Sequence, residues 1–209
     1  MARSDQVAGF ILTGGASSRM GRDKAFLEIA GETLVERANR PLAPLVASVT
    51  VIGPPERLAG AGLNVVPDDQ PGLGPLGGIV TALRVADRPW SLVVACDLPF
   101  LTHAWLEYLI QRAVASAADV LLPEGAGGAE PLCAMYHRRC LEPIRQAIAR
   151  GTRKVTDALA GCAVEKIPPA EWKAFDSEGW LFKNMNTPAD YEEALRRLVT
   201  PASSRPRSS

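Results

Sequence analysis

Residues 91–99 read Ser-Leu-Val-Val-Ala-Cys-Asp-Leu-Pro. A run apolar throughout, then closed by an acid and a proline, reads as a central strand covered on both faces. Other short apolar runs, Val7–Leu12, Ser48–Ile52 and Leu63–Val66, read as further strands. Helical patterns separate them. One spans Thr33 to Leu45, with Pro41 and Pro44 making its end irregular, and another runs to about Ala86 with Ile79, Ala82, Leu83 and Ala86 on one stripe. Strand–helix alternation of this kind predicts a three-layer α/β domain with a mainly parallel sheet.

The second half is less regular. Thr102 reads as the N-cap of a helix with Leu106, Leu109, Ile110, Ala113 and Val114 as its core stripe. Strands are expected at 118–122 and 131–136, separated by a flexible loop, EGAGGAE, at 124–130. Helical stretches at 139–149 and 152–160 and a weak strand at 163–167 follow. Thr187-Pro188-Ala189-Asp190 is a strong helix start, with threonine as cap, proline in the first position and an acid in the first turn. The expectation is one domain over residues 1–199 and a disordered polar tail over 200–209.

The chain has 209 residues, with 23 basic and 23 acidic side chains. Zero net charge argues against a general nucleic-acid or anionic-membrane binder, so any anion site must be local. Four cysteines, Cys96, Cys133, Cys140 and Cys162, lie far apart without a CxxC and read as small hydrophobes in a reduced cytoplasm. His103 and His137 are the only histidines and have no ligand spacing, which disfavours a histidine zinc site or a Ser-His-Asp triad. The N-terminal apolar run is too short for a signal peptide or a membrane span, so a cytoplasmic protein is expected.

In sheets of this type ligands sit at the carboxyl ends of the strands. After the first strand comes Leu12-Thr13-Gly14-Gly15-Ala16-Ser17-Ser18-Arg19-Met20-Gly21-Arg22-Asp23-Lys24. Glycines there let successive N–H groups approach a phosphate, and Arg19 and Lys24 add positive charge; a solvated turn is the plain alternative. Asp97 ends the apolar strand, where an acid is costly unless paired or metal-bound, and it reads as a turn residue or a magnesium ligand. Asp68 and Asp69 follow another strand, as turn acids or as acceptors for a nucleoside. The run PGLGPLGGI at 71–79 offers backbone amides at a helix start, or is simply a wide turn.

Together these segments resemble the molybdenum cofactor guanylyltransferases. The stretches are LTGGASSRMGRDK (12–24), FLEIAGETLVER (26–37), VVPDDQPGLGPLGGI (65–79), VVACDLPFL (93–101) and NMNTPADYEEAL (184–195). The resemblance implies a Rossmann-like nucleotidyltransferase fold, three-layered with a mainly parallel mixed sheet. It also implies a reaction in which the terminal phosphate of molybdenum-molybdopterin attacks the α-phosphorus of GTP, assisted by Mg2+, with pyrophosphate leaving. Leu12, Thr13, Gly14 and Gly15 would hold the nucleotide, Arg19 and Lys24 its phosphates, Asp68 the nucleoside and Asp97 the metal. Asn184 and Asn186 would face the metal or the pterin phosphate. Molybdopterin-insertion proteins and molybdoenzymes are the implied downstream partners, with no nucleic acid and no membrane.

The chain departs from that pattern twice. Thr13 stands where alanine is usual, and position 53, where an asparagine touching the nucleoside can occur, is Gly53. Arg153 and Lys154, in a basic turn, are candidates for the acceptor, with a solvated surface turn as the favoured reading. Three rival functions stay open: a cytidylyltransferase or another transferase acting on a phosphorylated small molecule, a non-catalytic nucleotide-binding adaptor, and a purely structural partner protein, which would leave the three decorated strand ends unexplained.

Overall fold

The computed structural model describes residues 3–13, 27–58 and 62–199. The tail at 200–209 lies outside the described residues, as does the loop holding Gly14, Gly15, Arg19 and Lys24. The chain opens with β1 (Ser4–Leu12), a two-stranded ribbon β2 (Glu28–Ile29) and β3 (Glu32–Thr33), and α1 (Leu34–Leu42). It continues through β4 (Val46–Ile52), α2 (Pro55–Leu58), β5 (Asn64–Val66), α3 (Pro75–Val85), β6 (Trp90–Ala95) and α4 (His103–Ala115). The remainder is β7 (Val120–Gly125), β8 (Gly128–Ala129), β9 (Cys133–His137), α5 (Leu141–Ala149), α6 (Val155–Ala158), β10 (Val164–Ile167), α7 (Pro169–Trp172) and α8 (Pro188–Val199).

The main sheet has the order β10-β7-β9-β6-β1-β4-β5, with β8 folded back on β7. All neighbours on the main path are parallel except those of β9, which runs antiparallel between β6 and β7. Residues of opposite parity on β1 feed different cores. Val7 and Ile11 pack with α1, α4, α7 and α8, whereas Ala8, Phe10 and Leu12 pack with α3, α5 and α6. These are the three expected layers. Every residue of β6 is buried, as a strand covered on both faces requires.

Local signals set the helix starts. Thr33 and Glu36 form a capping box at α1, and the hydroxyl of Thr102 accepts from the N–H of Trp105 at 3.3 Å. At α8 the hydroxyl of Thr187 accepts from the N–H of Asp190 at 3.1 Å, while the Asp190 carboxylate accepts from the N–H of Thr187 at 2.9 Å.

Four details differ from the sequence reading. The stretch 124–130 is a hairpin, with Gly125 paired to Gly128. Pro131 and Leu132 precede the strand that begins at Cys133. Val114 is 41% exposed rather than core, because it falls on the solvent side of the last turn of α4. Cys140 and Cys162, far apart in sequence, meet side chain to side chain. Among the described residues no helix is long and apolar enough to cross a membrane.

Candidate nucleotide site at the strand ends

The carboxyl ends of β1, β4 and β5 and the start of α3 surround a cleft of about 590 Å³. Its walls are largely apolar, from Leu12, Ile52, Pro67, Pro71 and Pro75, with the carboxylates of Asp68 and Glu56 as the acidic groups. That mixture suits a flat heteroaromatic ring held by a few directed polar contacts.

Asp68 is aimed by its surroundings. Its Oδ1 accepts from the N–H of Gln70 at 2.9 Å and from the hydroxyl of Thr81 at 3.1 Å. Thr81 is fully buried in α3 and in turn accepts from the N–H of Asp69 at 3.1 Å. The neighbouring carboxylate, Asp69, is engaged by Arg84 in a two-pronged contact. Of the two acids after β5, the structure therefore leaves Asp68 on the cleft wall and ties Asp69 to the helix.

The glycine run before α3 works mainly by close approach. Gly74, with φ of 58°, caps the helix in a conformation that favours glycine, and Pro75 follows at the first helical position. A Cβ on Gly77 would stand 2.6 Å from the Gln70 carbonyl and 3.1 Å from the Asp68 carboxylate. One on Gly78 would stand 3.0 Å from the Leu12 side chain. The small residues thus seat the helix against the protein's own Asp68 and Leu12. Thr81 escaped the sequence reading, although Gly77 and Thr81, four apart, share a helix face.

Asp97 stands one step beyond the last rung between β1 and β6, in which the N–H of Cys96 donates to Leu12 O at 3.1 Å. Its Oδ1 is buried. The turn after it is held from two sides. The N–H of Met185 donates to Asp97 O at 3.0 Å, and Arg37 Nε donates to Pro99 O at 3.1 Å. Met185 is buried, with Leu181 and Phe182 packed beside it in the core, so the exposed Asn184 and Asn186 flank an anchored residue next to Asp97. The Asn186 N–H also donates to the Asp190 carboxylate at 3.0 Å. The Thr187 hydroxyl and these main-chain N–H groups hold the Asp190 carboxyl below its usual range.

Beyond β6 the residues leading into β9 approach the same end of the sheet, where Leu132 O accepts from the N–H of Ala95 at 2.8 Å. Glu130, just before them, lays its carboxyl over Gly125, and burial pushes its pKa up to about 7. Arg153 and Lys154 are exposed, the first donating to Thr152 O at 2.9 Å and the second lying 3.8 Å from Asp157. They form a surface turn.

A hard oxygen ligand at the end of a buried strand fits Mg2+, which takes one or two protein carboxylates and completes its shell with water and phosphate oxygens. Among the described residues no cluster of three or more potential ligands forms an all-protein cage. Asp97 is the residue that would hold such an ion.

A mainly parallel sheet with a nucleoside-sized cleft at one group of strand ends, and a carboxylate at the next, is the layout of an α/β nucleotide-binding fold. The chain belongs to the MobA-like NTP transferase domain family, whose model matches residues 9–163. It is 35% identical over 190 residues to a probable molybdenum cofactor guanylyltransferase of Pelotomaculum thermopropionicum, covering 90% of this chain and 92% of that protein. A protein of the same description from Chloroflexus aggregans is 34% identical, with 93% and 96% covered. The crystal structure of molybdopterin-guanine dinucleotide biosynthesis protein A from Archaeoglobus fulgidus superimposes with a TM-score of 0.80 at 27% identity, covering 92% of this chain and 98% of that one.

Proposed function

We propose that the chain transfers GMP from GTP to the terminal phosphate of molybdenum-molybdopterin, giving the guanine dinucleotide form of the cofactor in the cytoplasm. One observation carries this reading. Asp68, on the cleft wall beyond β5, and Asp97, beyond β6, lie on opposite sides of β1 and β4 in the strand order. A nucleoside in the cleft directs its phosphates across the end of β1 toward Asp97.

In that pose Asp68 accepts from the nucleoside, and the main chain from Leu12 and Thr13 into Gly14 and Gly15 borders its phosphates. Arg19 and Lys24 neutralise phosphate charge. An oxygen of the acceptor phosphate forms a bond to the α-phosphorus, the bond from that phosphorus to the bridging oxygen breaks, and pyrophosphate leaves with the electron pair. The nucleophile is already ionised, so no strong general base is needed. Mg2+ held by Asp97 supplies charge neutralisation on the phosphates. Asn184 and Asn186, anchored through Met185, face the metal or the acceptor phosphate. Insertion proteins and molybdoenzymes take the product onward.

The test is incubation with molybdenum-molybdopterin, Mg2+ and each of GTP, CTP and ATP, followed by mass analysis of the pterin product. Addition of GMP from GTP is expected. Incorporation from CTP alone would overturn the guanine assignment, and nucleotide binding without any product would favour an adaptor.

A further inference from the structure

Thr13 and Gly53 are far apart in sequence and adjacent in space. The N–H and the hydroxyl of Thr13 both donate to the carbonyl of Ile52, each at 3.0 Å. The N–H of Gly53 donates to Val66 O at 3.0 Å, which fixes the same peptide from the β5 side. A Cβ at position 53 would overlap the Oγ1 atom of Thr13 and lie 3.3 Å from both Thr13 Cβ and Leu58 Cδ1. Gly53 and Ile52 line the cleft, whereas Thr13 stands behind them, 8% exposed.

We infer that Thr13 is a positioning residue for the nucleotide, its side chain filling the volume a residue at 53 would need and locking the Ile52–Gly53 main chain as a bare wall of the cleft. The two act as one unit. With threonine at 13 only glycine fits at 53, and with glycine at 53 the wall is backbone, so the nucleoside meets main-chain groups there instead of a side chain. The Ile52 carbonyl takes two hydrogen bonds from one residue, which uses both its lone pairs and keeps it turned toward Thr13. Loss of the hydroxyl leaves that carbonyl with the Thr13 N–H alone and loosens the peptide after it, and small displacements of a binding wall are costly. This role rests on the cleft holding the nucleotide.

The experiment uses the full chain and four variants: Thr13→Ala, Thr13→Ser, Gly53→Ala and the double variant Thr13→Ala/Gly53→Ala. Thermal unfolding, GTP binding by calorimetry and steady-state kinetics are measured for each. Thr13→Ala is expected to raise KM for GTP about three- to tenfold with kcat and the acceptor KM little changed, and Thr13→Ser to recover most of that loss. Gly53→Ala lowers the melting temperature and weakens GTP binding in the wild-type background. Added to Thr13→Ala it costs less than in the wild-type background, because the overlap with Oγ1 has gone and only the two 3.3 Å contacts remain. Additive effects of the two substitutions on melting temperature would overturn the interlock. An unchanged GTP KM in Thr13→Ala, or an equal rise in the acceptor KM, would overturn the positioning role. A wild-type chain that binds no GTP would overturn the nucleotide reading of the cleft together with that role, an outcome distinct from GTP binding that Thr13→Ala leaves untouched.

Discussion

The main-chain N–H of Met185 donates to the main-chain carbonyl of Asp97 at 3.0 Å, joining the C-terminal segment to the end of the central strand. Neither side chain takes part. The carboxylate of Asp97 is thereby separable from the contact that holds its turn in place. Asp97→Asn is expected to keep the far-UV circular dichroism and melting temperature of the wild type and to lose on the order of 10²-fold or more in kcat/KM. Full turnover by Asp97→Asn would remove the acid from the chemistry.

Met185 is the anchor on the other side of that bond. Its side chain is 1% exposed, so truncation leaves a cavity. Met185→Ala is expected to cost about 2–5 kcal/mol in urea unfolding. At a temperature where the variant stays folded, turnover should still fall, because Asn184 and Asn186 lose their fixed place beside Asp97. Wild-type turnover in a destabilised Met185→Ala would detach the two asparagines from the reaction.

Thr81 links two acids through one hydroxyl, accepting from the N–H of Asp69 and donating to Asp68 Oδ1. Thr81→Val keeps the shape but leaves a main-chain donor without its acceptor, at about 1–3 kcal/mol. The same change lets Asp68 rotate, so KM for the nucleotide should rise while kcat holds. Thr81→Ser should restore both, and calorimetry of GTP binding against urea unfolding separates the two effects.

Part of this was readable from residues alone. The apolar run at 91–96 announces its strand because a strand covered on both faces needs apolar side chains at both parities, and Trp90–Ala95 is buried throughout. Asp97 stands out because an acid directly after such a strand is conspicuous, whereas the residues alone do not separate Asp68 from Asp69 or from plain turn acids. The antiparallel insertion of β9 is not readable, since Cys133–His137 looks like any short buried strand and long-range packing decides its neighbours. Thr81 is hidden for a related reason: a threonine inside a helix is unremarkable until β5 brings Asp68 and Asp69 to it. Thr13 and Gly53 look like two unrelated departures, and only the β1–β4 register, with Leu12 opposite Ile52, makes them one feature.

Glu130 carries a pH dependence whose sign can be worked out. Burial raises its pKa from 4.5 to about 7, so between those values the folded chain binds a proton that the unfolded chain releases. Stability is linked to that difference and falls as pH rises through the interval, then levels off above about 7. Below 4.5 both states are protonated and the contribution is constant. Gly125 enforces the arrangement: a Cβ there would collide with the Glu130 carboxyl, which therefore cannot lie over any larger residue. Urea unfolding of wild type and Glu130→Gln, followed from pH 4.5 to 7, should show a downward component in the wild type that the neutral variant lacks. Parallel profiles for the two proteins would mean that the carboxyl titrates as an ordinary surface acid.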